Sequence, residues 1–264
     1  MNIPEPHSIV LFNLRKRKEI QNLSSAFTEQ IPSTLGITIG TTDLSKRAQL
    51  SFFQDSILDI VSFSLSRVAR GFSKVNARYK DEKSYIEFKN IDIGIAFDSG
   101  SNLKVLAIPD SASKSLNEIQ LRILEMLDLY ESNQTIHPED FAHTITITDL
   151  TGMDIAFVVP TLSSGQSTIL SINGNFSEGF LLTCTYDHRI MEGRYVSEFL
   201  SALKAQVLQI MKSEFHQNTE ISCSACQKTL TEEIELDASN RGMIVLKNAK
   251  NSEVLLCRVC FEGW

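Results

Sequence analysis

The chain has 264 residues, 42% of them hydrophobic, with 25 Lys plus Arg set against 32 Asp plus Glu. That length supports one sizeable domain with a small appendage, and a core large enough to need no staples. A formal net charge of −7 speaks against a broad nucleic-acid footprint and against anchoring on an anionic membrane surface, since both need a basic face.

No uninterrupted apolar stretch approaches the ~20 residues that span a bilayer. The N-terminal MNIPEPHSIVLFNLRKRK places its basic cluster after the apolar residues, the reverse of a secretory signal. The expectation is a soluble, cytoplasmic protein. Arg17 to Ile31 carries Ile20, Leu23 and Phe27 at the spacing of a helical stripe, bounded by Pro32. Leu35, Ile37 and Ile39 alternate with smaller residues, as in a half-buried strand. Phe53, Ile57, Ile60, Val61, Leu65 and Val68 then predict a longer amphipathic helix ending at Gly71.

Three strand-like runs follow, SYIEF, IDIGIAF and LKVLAI. Ser115-Leu-Asn-Glu118 is a capping box, with Ile119, Leu121, Ile123, Leu124 and Leu127 behind it. TITITDL, DIAFVV, TILSI and FLLTCTY are four further strand candidates, and a helix from about Arg194 to Met211 closes the domain. Strands and helices mix without strict βαβ alternation. The expected class is α/β (α+β), a mixed sheet with helices on one face. After residue 213 the polar KSEFHQNTEIS leads into a Cys-bounded segment too small to fold without a staple, so domains are expected at 1–213 and 214–264.

Within the first domain, Tyr186-Asp187-His188-Arg189-Ile190-Met191-Glu192-Gly193 sets a histidine just after a strand and a carboxylate four residues later. A histidine held at a strand end is suited to general-base work near neutral pH. By residue type alone, a structural histidine among surface charges is the commoner explanation, since an isolated His-plus-acid pair is weak evidence.

The segment resembles the His-x-x-x-Asp-Gly signature of the acyltransferase core of the 2-oxo acid dehydrogenase complexes, a core that shares its fold with chloramphenicol acetyltransferase. The likeness extends along the chain. RKEIQNLSSAFTEQIP is similar to that family's opening helix, Asn76 and IDIGIAF to its Asn-Ala stretch and Val-Asp-Ile-Gly-Val-Ala strand, SLNEI to the next helix start, and TITITDL to its Thr-Phe-Thr-Ile-Ser-Asn-Leu strand. The resemblance implies acyl transfer between thioesters. His188 would be the base that takes the proton of an attacking thiol, coenzyme A or dihydrolipoamide. Thr148 stands where the family has an oxyanion-stabilising serine, although an ordinary β-branched strand residue would look the same. Glu192 replaces the family's Asp, which pairs there with an opening-helix arginine that maps to Arg17. LKVLAI and Ala142-His143 also depart from the family pattern, at the substrate channel and before the Thr-Phe-Thr strand. The family's homotrimer, with active sites between subunits, is the expected assembly.

Complex-forming members carry a lipoyl domain and a subunit-binding domain ahead of this core. The expectation is therefore a stand-alone biosynthetic enzyme whose acyl donor, acyl-CoA or an acyl-carrier-protein (phosphopantetheine) thioester, arrives in trans. The acceptor could be a thiol, an amine or an alcohol. The alternative is a catalytically inactive trimeric scaffold.

Cys223-x-x-Cys226 and Cys257-x-x-Cys260 have the spacing of a closed four-thiolate site of the zinc-ribbon type, with structural zinc and no catalytic role. A redox pair is the competing reading. Such a ribbon would suit docking of a protein partner. Cys184, inside a strand, reads as a small core residue.

Overall fold

The computed structural model describes residues 11–12, 16–17, 20–21, 24, 30–40, 56–98, 103–131, 142–163, 165–212, 243–247 and 253–257. Residues 16, 17, 20, 21 and 24 are helical, within the stretch where the opening helix is expected. Then come β1 (Pro32–Ile39), α1 (Leu58–Val68), the hairpin β2 (Ala77–Asp81) and β3 (Ser84–Glu87), β4 (Ile93–Asp98) and β5 (Leu103–Ile108). They are followed by α2 (Leu116–Glu131), β6 (Ile145–Asp149), β7 (Thr168–Asn175), β8 (Gly179–Asp187) and α3 (Gly193–Lys212).

Six strands form one mixed sheet in the order β1-β8-β7-β6-β4-β5. β6 runs parallel to both β4 and β7, and the other pairings are antiparallel. α1 packs between α2 and α3, while α3 also lies on β1 and β8 and α2 on β5. The mixed sheet with packed helices is the architecture expected of the sequence. α2 starts as the capping box requires: the Glu118 amide donates to Ser115 Oγ at 3.3 Å, and the Ser115 amide donates to Glu118 Oε2 at 2.7 Å. The Ser115 hydroxyl also donates to Glu118 Oε2, at 2.7 Å, and this bond together with that of the Ser115 amide holds the Glu118 carboxyl below the usual carboxylate range.

The register gives the sheet two unlike faces. On one, Leu35 stands opposite Cys184 and Cys184 opposite Leu170, with Ile37, Leu182 and Ile172 forming the next row. These are apolar and pack with the core residues of the helices. On the other face Thr34 opposes Thr185 at an Oγ1–Oγ1 distance of 2.8 Å, and Ser171 opposes Thr183 with their hydroxyls 2.5 Å apart. Thr183, Thr185, Ser171 and Asn173 are all buried there; the hydroxyls are bonded, Thr185 to Thr34 and Ser171 to Thr183, and the Asn173 amide donates to Ser171 Oγ at 2.9 Å while its Oδ1 lacks a partner.

Two elements differ from the sequence expectation. DIAFVV alternates like a strand, yet residues 154–159 join no sheet. β6, just before it, is already flanked by β4 and β7, so the sheet offers no edge beside it. The segment instead crosses the polar face, where Thr183 Oγ1 donates to the Val158 carbonyl at 3.1 Å. Its alternation leaves Met153, Ile155, Phe157 and Val159 exposed. The second difference is β2, whose ARYKD has no apolar alternation to signal it and which exists by pairing with β3.

No helix among the described residues is long and apolar enough to cross a membrane. Toward the C-terminus, β9 (Met243–Lys247) and β10 (Glu253–Cys257) form a separate antiparallel pair in which Cys257 stands opposite Met243. Cys223, Cys226 and Cys260 lie outside the described residues, as does most of the expected second domain.

Candidate active site

β8 ends in a tight turn organised by its last residue. The Asp187 carboxylate is fully buried, and a buried charge needs a partner. It has one in Arg189, whose Nε reaches Oδ1 at 3.0 Å and whose Nη2 reaches Oδ2 at 2.5 Å. The Arg189 amide also donates to Asp187 Oδ1, at 3.1 Å. The amides of Ile190 and Met191 both donate to the Asp187 carbonyl. His188 sits in the middle of this turn, and its own amide donates to the Ile31 carbonyl at 2.8 Å. The backbone carrying the imidazole is therefore bonded on every side, while the side chain is 40% exposed.

α3 opens immediately afterwards, with the Val196 amide donating to the Glu192 carbonyl. A carboxylate suits a helix N-terminus. Here its longer side chain reaches back four residues, placing Glu192 Oε2 3.7 Å from His188 Nδ1. Gly193 packs closely beside it, since a Cβ there would lie 3.3 Å from the Tyr186 hydroxyl. The Tyr186 ring is 5.7 Å from the His188 ring, and burial raises its phenol above the ordinary value.

Arg17, the expected partner of Glu192, is exposed, and its Nε donates to the Phe12 carbonyl at 3.1 Å. Among the ion pairs of the described residues Glu192 appears with His188 alone.

Thr148 lies elsewhere. It stands on the polar face of β6, half-buried, opposite Ser171, which in turn opposes Thr183. His188 follows Thr183 by five positions along the chain and lies two strands away from β6. At ~3.3 Å per residue and ~4.8 Å per strand, the two side chains of one chain are about 20 Å apart. The structure thus brings His188 and Glu192 together and leaves Thr148 remote from them.

Three residues around His188 had no role in the sequence reading: Asp187, Arg189 and Tyr79. The guanidinium of Arg189 lies over the Tyr79 ring, 3.6 Å from its centroid. A buried Asp flanking the candidate base was readable from its place at the end of an apolar strand. Tyr79, more than a hundred positions earlier, carried no such signal. Cys184 is buried in the core, and burial pushes its thiol well above the ordinary range, which makes it inert. No group of three or more potential metal ligands occurs among the described residues.

Several known proteins are similar to this chain. The dihydrolipoyllysine-residue acetyltransferase component of pyruvate dehydrogenase complex from Mycoplasma capricolum is 27% identical over 172 residues, covering 60% of this chain and 39% of its own. The mitochondrial component 2 from Arabidopsis thaliana is 25% identical, over 69% of this chain and 38% of its own. The chain therefore spans about two fifths of the length of these curated relatives. Among solved structures, a probable dihydrolipoamide acetyltransferase from Listeria monocytogenes superposes with a TM-score of 0.71 at 20% identity, covering 78% of this chain and 97% of that one. An Azotobacter vinelandii dihydrolipoamide acetyltransferase, studied for the role of a serine, a histidine and an asparagine in its catalytic mechanism, gives 0.67 at 17%, covering 80% and 98%. At these identities the structures establish the fold. The profile of the 2-oxoacid dehydrogenases acyltransferase (catalytic domain) family matches residues 10–214, most of the chain, and to that family this protein belongs.

Proposed function

We propose that this chain transfers an acyl group from a thioester to a thiol, with His188 as general base and Thr148 as oxyanion donor. The observation that carries the reading is the bonded turn at the end of β8, which fixes the His188 backbone and leaves its imidazole half-exposed beside Glu192. With Nδ1 toward the carboxylate, Nε2 is the nitrogen that meets an incoming thiol. In the reaction, Nε2 takes the thiol proton as sulfur bonds to the thioester carbonyl carbon. Thr148 Oγ1 donates to the resulting oxyanion. The intermediate then collapses, the original carbon–sulfur bond breaks, and the departing thiolate takes the proton back from His188. Glu192, on the Nδ1 side, orients the ring. The histidine and asparagine named for the Azotobacter protein are four positions apart, as His188 and Glu192 are, which supports these roles.

A site containing both His188 and Thr148 needs two chains, because about 20 Å separates the two side chains within one. The exposed alternating residues Met153, Ile155, Phe157 and Val159, just after β6, supply an apolar surface for that contact. The assembly proposed is a homotrimer with His188 and Thr148 contributed by neighbouring subunits. The donor is an acyl-CoA or a phosphopantetheine thioester on a carrier protein, and amines or alcohols extend the acceptor range to be tested.

Acyl exchange across a panel of acyl-CoA and carrier thioesters, native against His188→Ala, tests the activity, and light scattering tests the mass of three chains. Loss of exchange in an intact trimer is the expected result. No exchange with any donor would favour the second reading, a trimeric scaffold, to which the Glu192 substitution and the exposed Arg17 point.

The two C-x-x-C pairs carry a separate proposal, that Cys223, Cys226, Cys257 and Cys260 bind one structural zinc and present a partner-docking module. The β9–β10 pairing ahead of the second cysteine pair suits a ribbon. One zinc per chain by elemental analysis, lost in Cys223→Ser/Cys226→Ser with acyl exchange retained, is the expected outcome.

A further inference from the structure

The turn that carries His188 is anchored to a part of the molecule far away in sequence. Arg189 grips the buried Asp187 with Nε and Nη2, so its guanidinium plane has one allowed direction out of the turn. In that direction lies the ring of Tyr79, 3.6 Å from the guanidinium carbon, within stacking range. Tyr79 is itself held, because its amide donates to the Gly165 carbonyl at 3.1 Å, and Arg78 beside it bridges to Gln166. Gln166 precedes Ser167, whose carbonyl accepts the Asp187 amide at 3.0 Å. The β2–β3 hairpin therefore reaches the His188 turn by two routes, directly through the stacked Arg189 and indirectly through residues 165–167, of which Ser167 accepts the Asp187 amide.

We propose that Tyr79 and Arg189 are positioning residues for His188: together they clamp the catalytic turn to the β2–β3 hairpin and set the direction of the imidazole. This rests on the acyl-transfer reading of His188. Arg189 was placed beside the base by the sequence, but its target and its anchor come from the fold. The charge of Lys does not replace Arg here, since one ammonium does not bond both carboxylate oxygens and stack on a ring. A ring at position 79 matters for its face rather than its hydroxyl.

The test compares Tyr79→Leu, Tyr79→Phe and Arg189→Lys, with Ile86→Ala as a control on the exposed side of the same hairpin. For thioester exchange, Tyr79→Leu and Arg189→Lys are expected to lower kcat about 10- to 100-fold with KM within about twofold, the mark of a misplaced base. Tyr79→Phe recovers most of the loss, and Ile86→Ala leaves kcat unchanged. In protein labelled with ¹⁵N-histidine, the His188 resonance, identified by its absence in His188→Ala, shifts or splits in Tyr79→Leu and Arg189→Lys only. If the native protein exchanges no acyl group, the acyl-transfer reading fails while the resonance still decides the clamp. An unchanged resonance in Tyr79→Leu, or an equal loss of kcat in Ile86→Ala, overturns the proposal.

Discussion

The two faces of β8 are built from alternate residues of one nine-residue strand, yet they serve different ends. Phe180, Leu182, Cys184 and Tyr186 point into the helix-covered core. Thr183, Thr185 and Asp187 are just as buried, but lie among hydroxyls, a carboxylate and the crossing segment that holds Val158. Burial of the first set drives folding, at roughly 25 cal/mol per Å² of apolar surface. Burial of the second set is tolerated because each group has a partner, and it ends in the turn that carries His188. A strand with an apolar face and a bonded polar face gives the turn that carries His188 rigid support without placing the imidazole in the core.

Substitutions on the two faces should therefore separate activity from stability. His188→Ala is expected to lower acyl exchange about 10²- to 10⁴-fold, with a melting temperature unchanged within error. On the apolar face, Leu182→Ala should cost about 2–5 kcal/mol in urea unfolding, the cost of a core cavity, while kcat of the folded fraction is retained. Thr148→Val keeps the shape and loses the donor, so kcat should fall about 10²- to 10³-fold at constant stability. A mixing experiment sharpens this one: His188→Ala and Thr148→Val chains, each inactive alone, should regain part of the activity when refolded together. Recovery requires the two groups to come from different chains.

Next to Leu182, Thr183→Val leaves the Val158 carbonyl without its donor. It should cost about 1–3 kcal/mol, less than the cavity next door, by the same unfolding measurement. An equal or larger loss would break the distinction between the faces. The smallest effect concerns Cys184. Its protonated, buried thiol should resist iodoacetamide in the native protein and react only on unfolding, as followed by mass spectrometry.

Much of this was legible in the residues. Periodicities of 2 and 3.6 marked β1, β4 to β8 and the helices α1, α2 and α3, because side chains alternate across a strand and recur along a helix face whatever the fold. The Ser115–Glu118 cap is local chemistry, and it formed as its spacing required. The Asp187-His188-Arg189 turn announced a candidate base at a strand end.

What the residues alone left open depends on neighbours distant in sequence. The alternation of DIAFVV is that of a strand, but pairing needs an edge, and the sheet order decided that none adjoined it. β2 had no pattern of its own and exists because β3 pairs with it. Glu192, expected beside Arg17, stands 3.7 Å from His188 Nδ1 instead, while Arg17 donates to the Phe12 carbonyl. The register, not the sequence spacing, set Thr148 about 20 Å from His188 and brought Tyr79 under Arg189. Local chemistry thus determined most of the elements that form and which residue types carry reactive groups. Tertiary packing decided which of those groups meet, because contact across a fold is a property of register and strand order rather than of distance along the chain.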